Sequence, residues 1–494
     1  MRKGTFIAIA GLTVAAAACK DSTGVGNLNA VTADALASGL TRSSTQLLVT
    51  GLVNLTRANM GLGFVVFTET MARDVYRLDP NEPRYITETL GGLSDGSGFV
   101  GGGVFAAEYG TIRSGNTILN GLPGATGLTA AEKTAVMGFV EAQKALAYYR
   151  LIQTRDSLGI AVDVNHPITD PPAPFVCKPN ALLFVSQLLD TAKTNLQAAV
   201  TAGTAFPFIL PSGYKVDGDF TTPAAMLQFA SGLQGEIELY RTLDVAYNHT
   251  YKKPTEGSAQ NAINLLTASY LSTASPTVTS LAASPYNQYS TASGEVVNPI
   301  ADVLIYVNPA VTDSINAGDL RAAKFTAATT NTRYGVSSSF KPTASDPTTN
   351  LTTPLPILKN AELILLRAQA ELELNTAAGN AAALSDLNVV RTVEGGLAPR
   401  VLPVAGIVKD SIRAYILYEK RYSLFGLGPQ RFVDLRAYNQ LNATFHKPEV
   451  TGDFYSGHTI TWRMPLYMMI SAHALTYEVE YSAYGFMANA QTRH

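Results

Sequence analysis

Residues 410–438, DSIRAYILYEKRYSLFGLGPQRFVDLRAY, combine a helical pattern with a sharp turn. The helix should end at Gly426, Gly428 and Pro429, because glycine favours a left-handed C-cap and proline cannot donate to a helical ladder. Before that turn, aromatic and aliphatic side chains recur at roughly helical spacing, which predicts one buried helix face: Ile412, Tyr415, Ile416 and Tyr422.

Charged side chains stand on both sides of this turn in otherwise apolar surroundings. Charges in such surroundings persist by pairing, so we predict a buried ion network that fixes how two segments cross. Structural networks of this kind are far more common than catalytic ones, and we assign the network to the scaffold. Its predicted members are Glu419, Arg421, Arg431, Asp434 and Arg436, with Lys420 beside them.

The first residues have the pattern of a secretory leader. Arg2 and Lys3 precede an apolar run that ends in small residues before Cys19, and the run is too short to span a membrane. We predict a signal peptide over 1–18, lipidation of Cys19, and a polar tether over 19–30. An ordinary signal peptide cut near Ala18 is the alternative.

Helical periodicity covers most of the remaining chain and divides it into three regions. Amphipathic stripes separated by short turns predict a scaffold of paired helices over 31–252, similar to a tetratricopeptide array. Serine, threonine, alanine, proline and asparagine dominate 253–356, which predicts a long loop-rich insertion that binds ligand. Amphipathic helical stripes return over 357–494, which predicts a C-terminal helical region. The predicted fold is therefore mostly α, with these regions forming one unit.

The composition argues for binding rather than catalysis. Only 15% of the 494 residues are charged and the formal net charge is −2, so we expect no nucleic-acid partner. The six histidines form no HExxH or Cys/His motif, and the scattered His446, Asp453 and His458 do not predict a metal site. Gly92-Leu93-Ser94-Asp95-Gly96 matches GxSxG, but further glycines follow where a nucleophile elbow needs a helix. We predict no enzyme activity and no cofactor.

Aromatic and amide side chains in the loops suit a neutral polar ligand such as a glycan. Flat rings can cover the weakly apolar faces of sugars, while amides and arginine bind the hydroxyl groups. We therefore predict a ligand surface in the loops, with one group in the insertion and one beside the glycine-rich stretch: Tyr286, Asn287, Gln288 and Tyr289, then Tyr76, Arg77, Tyr85 and Phe99.

The turn also carries a family resemblance. Its acidic-basic helix and following Arg and Asp-Leu residues resemble the C-terminal motif of the SusD/RagB outer-membrane nutrient-binding lipoproteins. Three further segments are similar in the same order: EYGTIRSGNTILNGLP with FVEAQKALAYYRLIQTRDSLGI, ILKNAELILLRAQAELELN with ALSDLNVVRTVEGGL, and Arg463-Met464-Pro465-Leu466. The motif residues in this chain are Glu419, Lys420, Arg421, Leu424, Gly428, Arg431, Phe432, Asp434, Leu435 and Arg436.

The resemblance implies a lipid-anchored protein on the outer membrane, facing outward. It implies capture of oligosaccharides or similar nutrients and their delivery to a TonB-dependent β-barrel transporter. No binding residue carries over, because the loops share no motif with the family. A helical-repeat lipoprotein scaffold that binds a protein or peptide is the alternative, and a secreted glycoside hydrolase is a more distant one.

Overall fold

The computed structural model of the protein describes residues 39–58, 60–90, 102–155, 159–167, 169–248, 257–402 and 408–441. Within these ranges fifteen α-helices occur: α1 (Arg42–Ala58), α2 (Phe67–Met71), α3 (Arg84–Thr87), α4 (Gly102–Gly121), α5 (Ala130–Arg155), α6 (Lys178–Thr201), α7 (Pro223–Leu243), α8 (Ala259–Thr267), α9 (Val278–Ala282), α10 (Pro309–Ser314), α11 (Pro347–Asn350), α12 (Asn360–Glu373), α13 (Ala377–Val393), α14 (Val408–Ser423) and α15 (Gln430–Ala437).

Eight short strands form four separate two-stranded antiparallel sheets in the described residues. The pairs are β1 with β5, β2 with β3, β4 with β8, and β6 with β7. Their bounds are β1 (Val75–Arg77), β2 (Ile160–Ala161), β3 (Phe175–Val176), β4 (Tyr286–Asn287), β5 (Ile305–Val307), β6 (Phe325–Arg333), β7 (Val336–Pro342) and β8 (Leu355–Pro356).

Consecutive helices pack in pairs along the chain. Helix α5 packs against α4 and α6, α6 against α7, α7 against α8, and α12 against α13. Close approach depends on small residues, because a Cβ at Gly138 of α5 would lie 2.7 Å from the Leu196 side chain of α6. Phe139, Leu189 and Phe229 are at most 1% exposed in the core between these helices. The prediction of a mostly α fold with tetratricopeptide-like pairs is confirmed.

Helix starts follow the sequence signals closely. Thr129 and Glu132 form the expected reciprocal capping bonds before α5, with the Glu132 carboxylate accepting from the Thr129 N–H at 2.8 Å. Thr222 caps α7, whose first residue is Pro223. The sequence also predicts a helix over 64–78, and this prediction is wrong in its second half. Helix α2 ends at Met71, and β1 begins at Val75, because strand β5 offers it a hydrogen-bonding partner.

The loop-rich region contains a hairpin that periodicity did not predict. Strands β6 and β7 meet at Tyr334-Gly335, both with positive φ (51° and 93°), as a tight two-residue hairpin turn requires. Most side chains of β6 are exposed on both faces. The strand therefore lacks the alternation of apolar and polar residues that reveals a half-buried strand.

The C-terminal turn has its predicted form. Helix α14 ends at Ser423, Gly426 is left-handed with φ 77°, and α15 starts at Gln430. Helix α14 packs against α12, α13 and α15. The turn after α14 therefore joins α15 to this C-terminal group of helices. The predicted leader, lipidated tether, Cys19, Phe99 and residues 442–494 lie outside the described residues. No helix in the described part of the chain is long and apolar enough to cross a bilayer.

Candidate functional site

The short sheet β1–β5 joins the N-terminal part of the chain to the loop-rich region. Val75 pairs with Val307, Tyr76 with Tyr306, and Arg77 with Ile305. Tyr76 and Tyr306 are buried in a small apolar cluster that also holds Ile86. Because side chains alternate along a strand, this sheet can present Arg77 on a different side from Tyr76.

Arg77 is held in one position by two carboxylates and one ring. Its Nε donates to Asp302 Oδ2 at 2.8 Å and its Nη1 to Asp79 Oδ2 at 2.5 Å. The guanidinium carbon lies 4.3 Å from the centre of the Tyr85 ring, within cation–π distance. Burial lowers the pKa of Arg77, but its bonds to Asp302 and Asp79 raise that pKa overall. Arg77 is therefore a fixed cation between two anions.

Local sequence explains how these groups come together. Asp79 Oδ1 accepts the Asn81 N–H at 2.9 Å, which turns the chain directly after β1. Tyr334, in the β6–β7 turn, is 36% exposed, and its hydroxyl donates to the Pro80 carbonyl at 3.0 Å. Tyr85, through Arg77 and Asp79, and Tyr334, through Pro80, therefore both lie near the turn that follows β1. We call this group the Arg77 surface: Arg77, Asp79, Tyr85, Asp302 and Tyr334.

The Arg77 surface offers partly exposed rings beside fixed carboxylates and a guanidinium. Rings can stack on weakly apolar ligand faces, and carboxylates can accept hydrogen bonds from two hydroxyl groups. Sequence reasoning singled out Arg77 and Tyr85 but missed Asp79, Asp302 and Tyr334. The Tyr334-Gly335 dipeptide was a usable turn signal, whereas Asp302 joins the surface only through pairing across more than 200 residues.

Tyr286 and Tyr289, which the sequence predicts as stacking residues, are both buried in the structure. Tyr286 is 7% exposed, and its hydroxyl lies 2.6 Å from Asp217 Oδ2. Tyr289 is 2% exposed and belongs to an apolar cluster with Leu355. The reason is that β4 pairs with β8, which pulls this stretch of the insertion into the interior.

The two residues between these tyrosines are a buried asparagine and a half-buried glutamine. Asn287 is 3% exposed and pairs with Leu355 in the β4–β8 sheet. Gln288 is half-buried, and its Oε1 accepts a hydrogen bond from Ser212 Oγ at 3.1 Å. The 286–289 group and the Arg77 surface are therefore distinct places in the fold.

The five charged residues predicted as one network pair with several parts of the chain, and Arg421 and Arg431 share one partner, Asp74. Glu419 binds Arg321 at 2.7 Å and Arg391 at 2.9 Å. Arg436 donates to the Gln153 carbonyl at 2.8 Å. The remaining contacts join the turn to Asp74 and α14 to α15: Arg421 to Asp74 at 2.7 Å, Arg431 to Asp74 at 3.1 Å, and Asp434 to Lys420 at 2.7 Å.

These pairs explain why the segment sits at the centre of the fold. Asp74 lies just before β1, so its two arginines tie the start of the Arg77 surface to both C-terminal helices.

Among the described residues no group of three or more histidine, cysteine, aspartate or glutamate side chains could hold a metal ion.

Comparison with solved structures identifies the architecture. A SusD superfamily protein from Bacteroides vulgatus superposes with a TM-score of 0.55 at 17% identity, covering 84% of this chain and 93% of that one. A laminarin-binding SusD-like protein gives 0.56 at 15%, covering 87% and 97%. Surface glycan-binding protein A from Bacteroides thetaiotaomicron gives 0.52 at 15%, covering 83% and 92%. No family model and no curated protein match the sequence.

Proposed function

We propose that this chain, which has the SusD-like fold, is an outer-membrane lipoprotein that binds oligosaccharides and delivers them to a TonB-dependent β-barrel transporter. The observation that carries the proposal is the match of fold along more than four-fifths of the chain to proteins named as laminarin-binding and surface glycan-binding. Fold alone does not decide function, so the proposal also requires a ligand-binding site in this chain.

The Arg77 surface is the proposed ligand site. It combines the partly exposed rings of Tyr85 and Tyr334 with the carboxylates of Asp79 and Asp302. A rigid arrangement favours binding because little side-chain entropy is lost when ligand arrives.

Anchoring completes the proposal. Lipidation at Cys19 would hold the protein at the membrane, and two or three acyl chains bind far more firmly than one. A protein held in this way at the outer face can pass a captured ligand to a membrane partner without releasing it to bulk solution.

A glycan array probed with the full chain in detergent tests the proposal. We expect binding to neutral oligosaccharides, reduced when Tyr85→Ala is probed in parallel. Membrane co-purification should recover a β-barrel transporter. Recovery of a protein or peptide partner without any glycan signal would instead favour a helical scaffold, and hydrolysis of a bound glycan would indicate a glycosidase.

A further inference from the structure

A cavity lies on the side of the β1–β5 sheet that faces away from Tyr76. Its volume is about 510 Å³, and its walls come from the segment before α2, from the sheet, and from the turn between α14 and α15. Small-molecule sites have volumes of roughly 300–1,000 Å³, so this one is large enough for a ligand. Its apolar wall includes Val66, Val75, Ile305, Leu355 and Phe425.

Two lysines also line this cavity. Lys324 Nζ donates to the carbonyls of Tyr422 at 2.7 Å and Ser423 at 2.8 Å, which caps the end of α14. An ammonium has three N–H groups, so these two bonds leave one for another acceptor. Lys359 Nζ lies 3.0 Å from Glu394 Oε1. Glu394 is thus the partner of Lys359, while Lys324 is bound by neutral carbonyls.

Glu69 supplies an independent sign of a ligand. Its side chain lines the cavity and is 4% exposed, and its Oε1 accepts the Gly426 N–H at 3.0 Å. Within the described part of the chain its Oε2 has no hydrogen-bond partner. An unpaired buried polar atom destabilises the protein, and a ligand that approaches it removes this cost.

Two lysines and the buried carboxyl group of Glu69 line the cavity, and Glu394 and Arg321 also act on Lys324. Burial raises the pKa of Glu69 well above its usual range and Asp74 raises it further, while the Gly426 N–H, Arg431 and Arg421 oppose this rise. Burial also lowers the pKa of Lys324 to about 7, with Lys359 adding to the effect. A bound anion would restore the charge of Lys324, because opposite charges favour the protonated amine.

We propose that this cavity, the lysine cavity, binds a small organic anion with an apolar body, such as an aromatic carboxylate or sulfonate. The apolar wall covers the body, Lys324 and Lys359 meet the anionic group, and Glu69 Oε2 shares a hydrogen bond with a polar group of the ligand. This site is independent of the proposed glycan surface, because no residue of the Arg77 surface lines the cavity.

Two fluorescent probes of similar body test the charge requirement. 8-Anilinonaphthalene-1-sulfonate carries an anion, and N-phenyl-1-naphthylamine does not. In titrations of the full chain, Lys324→Met and Lys359→Met should each weaken the sulfonate about tenfold, as expected for loss of a charge-assisted bond. Both variants should leave the neutral probe unchanged. Lys341→Met is the matched control, because Lys341 stands over Tyr306 outside the cavity.

A variant at the cavity entrance tests the location without touching the charges. Ala344 is exposed and lines the cavity, so Ala344→Trp should leave the fold intact and weaken both probes at least tenfold. Sulfonate affinity should also fall as the pH rises above about 7.

Specific outcomes would overturn the proposal. Unchanged sulfonate affinity in Ala344→Trp would place the probe elsewhere, and equal weakening of both probes by the lysine variants would remove the role of charge. Should Lys324→Met not fold, Lys359→Met and Ala344→Trp decide the question.

Discussion

Asp434 is the residue on which the packing of the two C-terminal helices most depends. It is 1% exposed, pairs with Lys420 at 2.7 Å, and accepts bonds from Tyr240 at 2.8 Å and Gln369 at 3.0 Å. Helices α7, α12, α14 and α15 thus meet at one carboxylate. Removing it would leave the buried ammonium of Lys420 without a counter-ion.

Asp434→Ala should therefore lower the free energy of unfolding by about 3 to 5 kcal/mol. Asp410→Ala is the matched control, because Asp410 forms an ion pair within α14, the helix that carries Lys420, but its side chain is 61% exposed. That variant should change stability by less than about 1 kcal/mol. Thermal melting of both variants measures the difference. A normal melting temperature for Asp434→Ala, with ligand binding lost, would make Asp434 a functional residue instead.

Glu236 is the second buried residue with a testable consequence. It is 5% exposed, and Tyr149 donates to its Oε1 at 3.0 Å. Burial raises the pKa of Glu236 to about 8, and Glu362 raises it further while Lys420 lowers it. In the unfolded chain the carboxyl titrates near its ordinary value of 4.5. Between pH 4.5 and about pH 8 the folded protein therefore binds more protons than the unfolded one.

This difference in bound protons determines how the stability of the protein changes with pH. Stability due to protonated Glu236 is present below about pH 4.5 and is lost as the pH rises towards about 8. Glu236→Gln, which stays neutral, should therefore melt progressively higher relative to wild type between pH 5 and pH 9. Lys324 titrates with the opposite sign, but it is common to both proteins and cancels in the comparison. A difference that is constant with pH would refute the assignment.

At the residue scale, sequence reasoning identified which side chains are charged or aromatic but not where they lie. Asp434 was recognised as buried because its neighbours are apolar. Tyr289 was placed on the surface because its local sequence is polar, yet β4–β8 pairing buries it. That pairing joins positions about 70 residues apart, and no local pattern records it.

The turn between α14 and α15 shows how an element boundary is fixed. Gly426 has φ 77°, a conformation that side chains with a Cβ disfavour, and its N–H donates to Glu69. A Cβ built at Gly426 would meet nothing within 4 Å. Any cost of replacing this glycine therefore comes from the backbone conformation alone.

Gly426→Ala should destabilise the protein by about 1 to 2 kcal/mol. The control is Gly51→Ala, because Gly51 is exposed inside α1 and a Cβ there would also meet nothing within 4 Å. A helical glycine lacks this constraint, so Gly51→Ala should stabilise by roughly 0.5 to 1 kcal/mol. Chemical denaturation compares the two. Equal changes in both variants would mean that the left-handed turn is not strained by alanine.

At the element scale, helices were predictable and strands were not. The capping box at Thr129 and the cap at Thr222 are local signals, and the structure contains both. Strand β6 has no buried face, so its sequence lacks the alternation that identifies strands. Short strands such as β1 exist only because a distant partner pairs with them.

The whole molecule is a scaffold of helical pairs to which a loop-rich region is attached by short sheets. The strand β1 connects the N-terminal part to β5, while Asp74 connects it to α14 and α15. The Arg77 surface is thereby fixed to the most extensively paired part of the fold. Family resemblance in the sequence predicted the SusD-like architecture, but the loops gave no comparable guide to the site.

Anchoring is tested at the same scale. Cys19→Ser should move the full chain from the membrane fraction to the soluble fraction, because serine in place of Cys19 cannot carry the proposed acyl chains. Immunodetection after membrane fractionation measures the shift. Continued membrane association of the variant would show that another feature holds the protein there.

Calorimetric titration tests the proposed binding of an oligosaccharide at the Arg77 surface. The glycan bound best on the array is titrated into the wild type, Tyr85→Ala and Tyr415→Ala. Tyr415 is the matched control, because it is also half-buried beneath an arginine, with Arg400 at 4.5 Å from its ring, but lies on α14. Loss of one stacking ring should weaken affinity several-fold to about tenfold. The account predicts this loss for Tyr85→Ala and wild-type affinity for Tyr415→Ala; equal affinity in all three proteins would contradict it.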